Sequence, residues 1–134
     1  MGTIVVGYVP KPEGQAALRR AAEEARLREA RLVVVNSHRG GREFDRDDAI
    51  ETEAQLEEVR SQLEAAGVEH EVRQLVRGMD PAEDLVNVAT EVAAEFIVIG
   101  LRRRSPVGKL ILGSNAQRVL LEAPCPVLAV KASE

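Results

Sequence analysis

Phe96-Ile97-Val98-Ile99-Gly100-Leu101-Arg102-Arg103-Arg104-Ser105-Pro106-Val107-Gly108-Lys109-Leu110-Ile111-Leu112-Gly113-Ser114 is the stretch around which the chain is organised. Its first four residues are apolar and rich in β-branching, which reads as a fully buried strand. Ser114-Asn115-Ala116-Gln117 has the Ser-x-x-Gln spacing of a capping box, so a helix is expected to start there with Ser114 as its cap. The whole is a strand, a glycine-bounded loop and a helix N-terminus. Arg102, Arg103, Arg104 and Lys109 stand in it with no carboxylate among them, although the chain carries a formal charge of −4. A helix N-terminus presents unpaired N–H groups and favours negative charge. Gly113, without a side chain, would let an anion approach that backbone. The local chemistry therefore selects an anion, with phosphate first.

Outward from this segment, apolar runs alternate with helical patterns. Thr3 to Val9 is a β-branched run without alternation, as in a buried parallel strand. Pro10, Pro12 and Gly14 end it. Glu13 to Arg28 is helical, with Ala17, Leu18, Ala21, Ala22 and Ala25 on one small-residue face. Leu32 to Val35 is a second buried strand that runs out into a loop from Asn36 to Gly41. Asp45 to Ala66 is a long polar helix with a stripe through Ile50, Leu56, Val59 and Leu63, closed by Gly67. Val68 to Val76 carries enough polar residues to be an edge strand. Asp80-Pro81-Ala82-Glu83 is a helix start with Asp as cap and Pro at the first helical position. That helix is expected to bury Leu85, Val86, Ala89 and Val92. The last helix passes through Val119 and Leu120, and the last strand is Val127-Leu128-Ala129-Val130.

Five strands alternating with four helices imply right-handed parallel crossovers. The expected fold is a single α/β domain over residues 1–134, an open five-stranded parallel sheet of order 3-2-1-4-5 with helices on both faces. Strand order then reverses between strands one and four, where ligands sit beyond the carboxyl ends of the strands. Tyr8-Val9-Pro10 and the loop after Gly100 would line that crevice.

Composition removes several alternatives. The chain has no Trp, one Tyr and two Phe, too few aromatic faces for base-stacking platforms, and its acidic balance argues against nucleic acid. The lone Cys125 cannot form a disulfide within one chain, which suits a reduced, cytoplasmic setting, and it reads as a packing residue. No apolar run approaches membrane-spanning length and no signal-peptide pattern opens the chain, so neither membrane nor export is expected. The spacing is not that of a Walker loop, because Leu110 follows Lys109, and no Gly-x-Gly-x-x-Gly occurs. His38 and His70 lack ligating companions, so no metal site is expected. Ser105 and Ser114 have no histidine base nearby, so catalysis is not expected. Glu51, Glu53, Glu57 and Glu58 read as a solvated helix face.

Gly100, the Ser105-to-Ser114 spacing with Leu110-Ile111-Leu112 inside it, Gly113-Ser114 and Ala123-Pro124-Cys125-Pro126-Val127-Leu128-Ala129-Val130 resemble the universal stress protein family. The likeness extends over the chain, including Gly78-Met79-Asp80-Pro81-Ala82-Glu83. Nucleotide-binding members carry Gly-x2-Gly-x9-Gly-Ser/Thr, and Gly100, Gly113 and Ser114 fill the first, third and fourth positions. Arg103 stands at the second glycine, and Val9 stands where the family often has an aspartate on the ribose side.

The resemblance implies an adenine nucleotide alpha hydrolase-like fold and a bound ATP, ADP or AMP, with Mg as companion if ATP is the form bound. Phosphate contacts are expected from Gly100, Arg102, Arg103, Gly113, Ser114 and Asn115. Base and ribose are expected against Tyr8, Val9, Pro10 and Ser37. The resemblance further implies a homodimer paired through Val127, Leu128, Ala129 and Val130. A nucleotide-free, dimeric interaction module is the alternative that Arg103 and Val9 leave open, and a weak ATPase ranks third.

Overall fold

The computed structural model describes residues 2–38, 46–76, 80–101 and 112–132. The elements alternate as β1 (Thr3–Gly7), α1 (Pro12–Arg28), β2 (Arg31–His38), α2 (Arg46–Ala65), β3 (His70–Val76), α3 (Pro81–Glu91), β4 (Phe96–Leu101), α4 (Ser114–Glu122) and β5 (Val127–Lys131). The five strands form one sheet in the order β3-β2-β1-β4-β5. Every neighbouring pair is parallel, with Val5 opposite both Val33 and Ile97 at the centre.

The central strands are apolar without alternation because both of their faces are buried. Ile4, Val6, Leu32, Val34 and Val98 meet the alanine face of α1 and Leu56, Val59 and Leu63 of α2. Val5, Val33, Val35, Ile97 and Ile99 meet Ala82, Leu85, Val88 and Ala89 of α3 and Val119 of α4. Burying such side chains contributes roughly 1.5–3 kcal/mol each. The edge strand β3 takes a different route. Glu71 accepts from both Arg31 on β2 and Arg73, and Arg73 also reaches Glu91 on α3 at 2.7 Å. The hydrogen bond from Arg73 is the main reason the Glu71 carboxyl is held below its usual range.

Several boundaries differ from those read in the sequence. β1 stops at Gly7 rather than Val9, and β2 runs on to His38 rather than ending at Val35. Ile50 is 62% exposed, whereas Thr52 is buried. The reason is phase: Thr52 lies one turn before Leu56, and Ile50 falls on the opposite side of α2. In α3 the buried valine is Val88 rather than Val86. Gly67 does follow α2 in the left-handed region, at φ 72°.

The start of α4 is shifted by one residue. Gly113 is the N-cap, in an extended conformation and without a side-chain cap, so Ser114 is the first helical residue and no capping box forms. Gln117 instead reaches back to the Leu112 carbonyl at 3.4 Å. At α3 the expected cap is present: the Asp80 carboxylate accepts from the Ala82 N–H at 2.9 Å.

Candidate functional site

At the carboxyl ends of β1 and β4 the sheet opens into a cavity of about 160 Å³. Its floor is Gly7, Val35 and Ile99, its sides are Ala82 and Leu85 of α3 and Val119 of α4, and Ser37, Val9 and Asn115 stand at its rim. The floor is apolar because these strands bury both faces. The rim is polar because the chain turns there.

The roof is made by α1, and two glycines make it fit. A Cβ on Gly14 would lie 1.8 Å from the Val9 carbonyl oxygen, and one on Gly100 would lie 2.0 Å from the carbonyl oxygen of Glu13. Both obstructions are backbone, so neither position accepts a side chain without moving the first turn of α1. Gly100, expected as a phosphate contact, does line the cavity. Helix packing alone already requires glycine there.

The N-terminus of α4 supplies the polar end. The first helical bond runs from the Gln117 N–H to the Gly113 carbonyl at 3.0 Å. The N–H groups of Ser114, Asn115 and Ala116 therefore precede the helical ladder, as at any helix start. Here the N-cap is a glycine with no side chain to cap them, Asn115 and Ala116 line the cavity while Gly113 and Ser114 stand outside its lining, and Ser114 and Asn115 are exposed. Arg118 ties this helix to the start of α3 through Asp80 at 3.3 Å and Glu83 at 3.9 Å, and pairs with Glu122 of its own helix at 3.0 Å. The hydrogen bond to Glu122, ahead of the other carboxylates, raises its affinity for its proton. The dipole and its three N–H donors are thus aimed at one place, where an anion is favoured.

The residues expected to meet base and ribose are divided by the sheet. Val9 is 40% exposed and lines the cavity, and Pro10 is exposed beside it. Tyr8 lines the cavity, yet its ring packs with Ile4 and Val6 on the α1–α2 face. Its hydroxyl accepts from the Gln15 amide at 3.0 Å, and burial pushes its pKa up. Tyr8, expected at the base and ribose, thus turns its ring into the core, as a strand tyrosine more often does, and leaves its main chain on the cavity side. This orientation follows from strand alternation: Tyr8 continues the Ile4–Val6 face. Ser37 lines the cavity from the end of β2, and Asn36 beside it donates to the Tyr8 carbonyl at 3.2 Å.

Arg102, Arg103 and Lys109, expected to supply positive charge, lie outside the described residues. Among the described residues no group of three or more His, Cys, Asp or Glu is placed to hold a metal ion. Cys125 is half-buried against the α3–α4 core, and burial pushes its thiol up.

Two features were missed in the sequence. Gly14 passed as a turn residue, and its role shows only when Val9 is seen above it. Asp84 was overlooked although it stands four residues before the buried Val88. A carboxylate on the apolar stripe of a helix is a signal that a partner waits inside the fold. The partner is Ser37, whose hydroxyl donates to Asp84 at 2.5 Å.

A larger hollow of about 600 Å³ lies between α1 and α2, lined by Arg19, Glu23, Arg26, Leu27 and Gln62 among others. It contains no helix N-terminus, and its charges are of both signs.

The fold and the sequence recur in known proteins. The sequence model described as the universal stress protein family matches residues 1–131. A universal stress protein of Mycolicibacterium smegmatis is 47% identical over 128 residues, covering 96% of both chains. A solved universal stress protein from Archaeoglobus fulgidus is 45% identical, with a TM-score of 0.85 over 98% of this chain and 99% of that one. Another structure from that organism, of a universal stress protein in complex with dAMP, is 39% identical with a TM-score of 0.79 and covers 98% of each chain. With its fold and its sequence in agreement, the chain belongs to the universal stress protein family.

Proposed function

We propose that the protein is a stress-response module that binds an adenine nucleotide in the crevice between β1 and β4. The observation that carries this reading is the glycine-capped N-terminus of α4, whose first turn lines the cavity at Asn115 and Ala116. The phosphates lie against Gly113, Ser114 and Asn115, and the base lies on the apolar floor towards Ser37. The dAMP-bound relative at 39% identity supports an adenine ligand in a fold of this kind. The protein works by binding, without catalysing a reaction, and any Mg arrives on the phosphates of ATP. Two copies associate through β5, whose outer edge faces no further strand among the described residues.

Calorimetric titration of nucleotide-free protein with AMP and with ATP tests this. Wild type binds below millimolar, and Gly113→Val loses binding by more than tenfold because a branched side chain stands in the phosphate's approach. Ser114→Ala loses less, since one hydroxyl goes and the N–H groups stay. A charge-assisted hydrogen bond contributes about 1.5–3 kcal/mol, which sets the scale of that loss at roughly tenfold or more. Absence of binding by wild type would leave the interaction module as the family role of this chain.

A further inference from the structure

The Ser37–Asp84 pair is placed to choose between ligands. β2 runs three residues past Val35, the last residue of that strand paired with β1, and so carries Ser37 beyond the sheet's floor. Val33 and Val35 face α3, and alternation gives Ser37 the same face. There its hydroxyl donates to Asp84, a carboxylate only 3% exposed. A hydroxyl has one proton, and that of Ser37 is given to the Asp84 carboxyl group. What Ser37 offers the cavity is oxygen lone pairs. At the same strand end, the buried Asn36 amide ties β2 to the Tyr8 carbonyl, which holds this rim in register with β1.

A rim group that accepts but cannot donate takes a ligand N–H and turns away a ligand carbonyl. Purines differ in this respect at position 6, where adenine carries an amino group and hypoxanthine or guanine an oxo group. We infer that Ser37, oriented by Asp84, selects 6-aminopurine over 6-oxopurine nucleotides in this crevice. Ser37 touches the base, whereas Asp84 is a positioning residue that acts by fixing the direction of the Ser37 proton. The inference rests on the nucleotide reading above and adds the side chains that read the base. Polar readout of this kind discriminates, because the wrong partner sets one acceptor against another.

The test is calorimetric titration of the full chain with AMP and with inosine monophosphate, for wild type, Ser37→Ala and Asp84→Asn. Circular dichroism melts report whether each variant is folded. Wild type prefers AMP by tenfold or more. Ser37→Ala loses AMP affinity about tenfold and leaves inosine monophosphate nearly unchanged, so the ratio falls towards one. In Asp84→Asn the amide donates to Ser37 and frees its hydroxyl proton, so inosine monophosphate gains and the ratio falls or inverts. A merely structural role for Asp84 would weaken both ligands equally. Ser37 is only half-buried, so Ser37→Ala decides the matter even where Asp84→Asn fails to fold. A ratio unchanged within twofold in Ser37→Ala, or no preference in wild type, overturns the inference alone. If wild type binds neither nucleotide, the nucleotide reading itself fails and takes this inference with it.

Discussion

Val9 is the crevice residue at which the chain departs from the aspartate often found in its family. It is 40% exposed at the rim and entirely apolar. A carboxylate in that place could accept from ribose hydroxyls, and valine cannot. AMP and dAMP should therefore bind this protein within about threefold of one another, since discrimination needs a lost hydrogen bond. Val9→Asp should tighten AMP over dAMP by about tenfold, measured by displacement of a fluorescent adenine nucleotide. Equal tightening of both ligands would show that position 9 does not face the sugar. Single residues also set the limits of reading the sequence. The Asp80 cap of α3 was legible because it is defined by its own chemistry, whereas the exposure of Val9 at the rim was not. The direction of the Tyr8 ring stays open in the sequence because it depends on where strand alternation begins, and Asp84 was missed because its partner is 47 residues away.

Among the elements, the junction of α1 with β4 holds the crevice open. Gly100→Ala should place a methyl group against the Glu13 carbonyl, which belongs to the helix backbone and cannot swing aside. The expected loss of stability is about 1–3 kcal/mol, the usual cost of overpacking a tight contact. Thermal unfolding followed by circular dichroism checks it, and nucleotide affinity should fall as α1 is pushed off the cavity. An unchanged melting temperature would show that the close approach is not obligatory. The elements themselves were largely visible in the sequence, because apolar runs and helical patterns alternate cleanly and Asp80-Pro81 announces α3. Their ends were less visible. β2 extends to His38 because β3 continues to pair with it, with Ser37 opposite Leu75, a long-range fact that no local pattern carries. The cap of α4 moved from Ser114 to Gly113 because the extended backbone at Gly113 starts the helix one residue earlier.

For the whole molecule, the sheet order fixes both the crevice and the exposed edge. Val127, Leu128 and Val130 of β5 are half-buried, and Ala129 and Lys131 are exposed. On the neighbouring helix Leu121 is 85% exposed and Leu120 43%. An apolar edge left unpaired is an association hazard, and pairing it with a second copy across a two-fold axis runs the two strands antiparallel. Sedimentation at micromolar concentration should give a dimer for wild type and monomer or aggregate for Ala129→Asp. A strictly monomeric wild type would contradict the proposed assembly. The order 3-2-1-4-5 was readable from alternation and from the polar share of the third strand, and it led directly to the position of the crevice.

Binding at the start of α4 is tested most directly by ¹⁵N-labelled protein titrated with AMP and followed amide by amide. The account predicts saturable shifts centred on the N–H signals of Ser114, Asn115 and Ala116, with smaller ones at Val9 and Ser37. Gly113→Val should abolish them while leaving the α1–α2 resonances in place. Saturable shifts confined to the groove between α1 and α2, or none at any residue up to millimolar AMP, would contradict it.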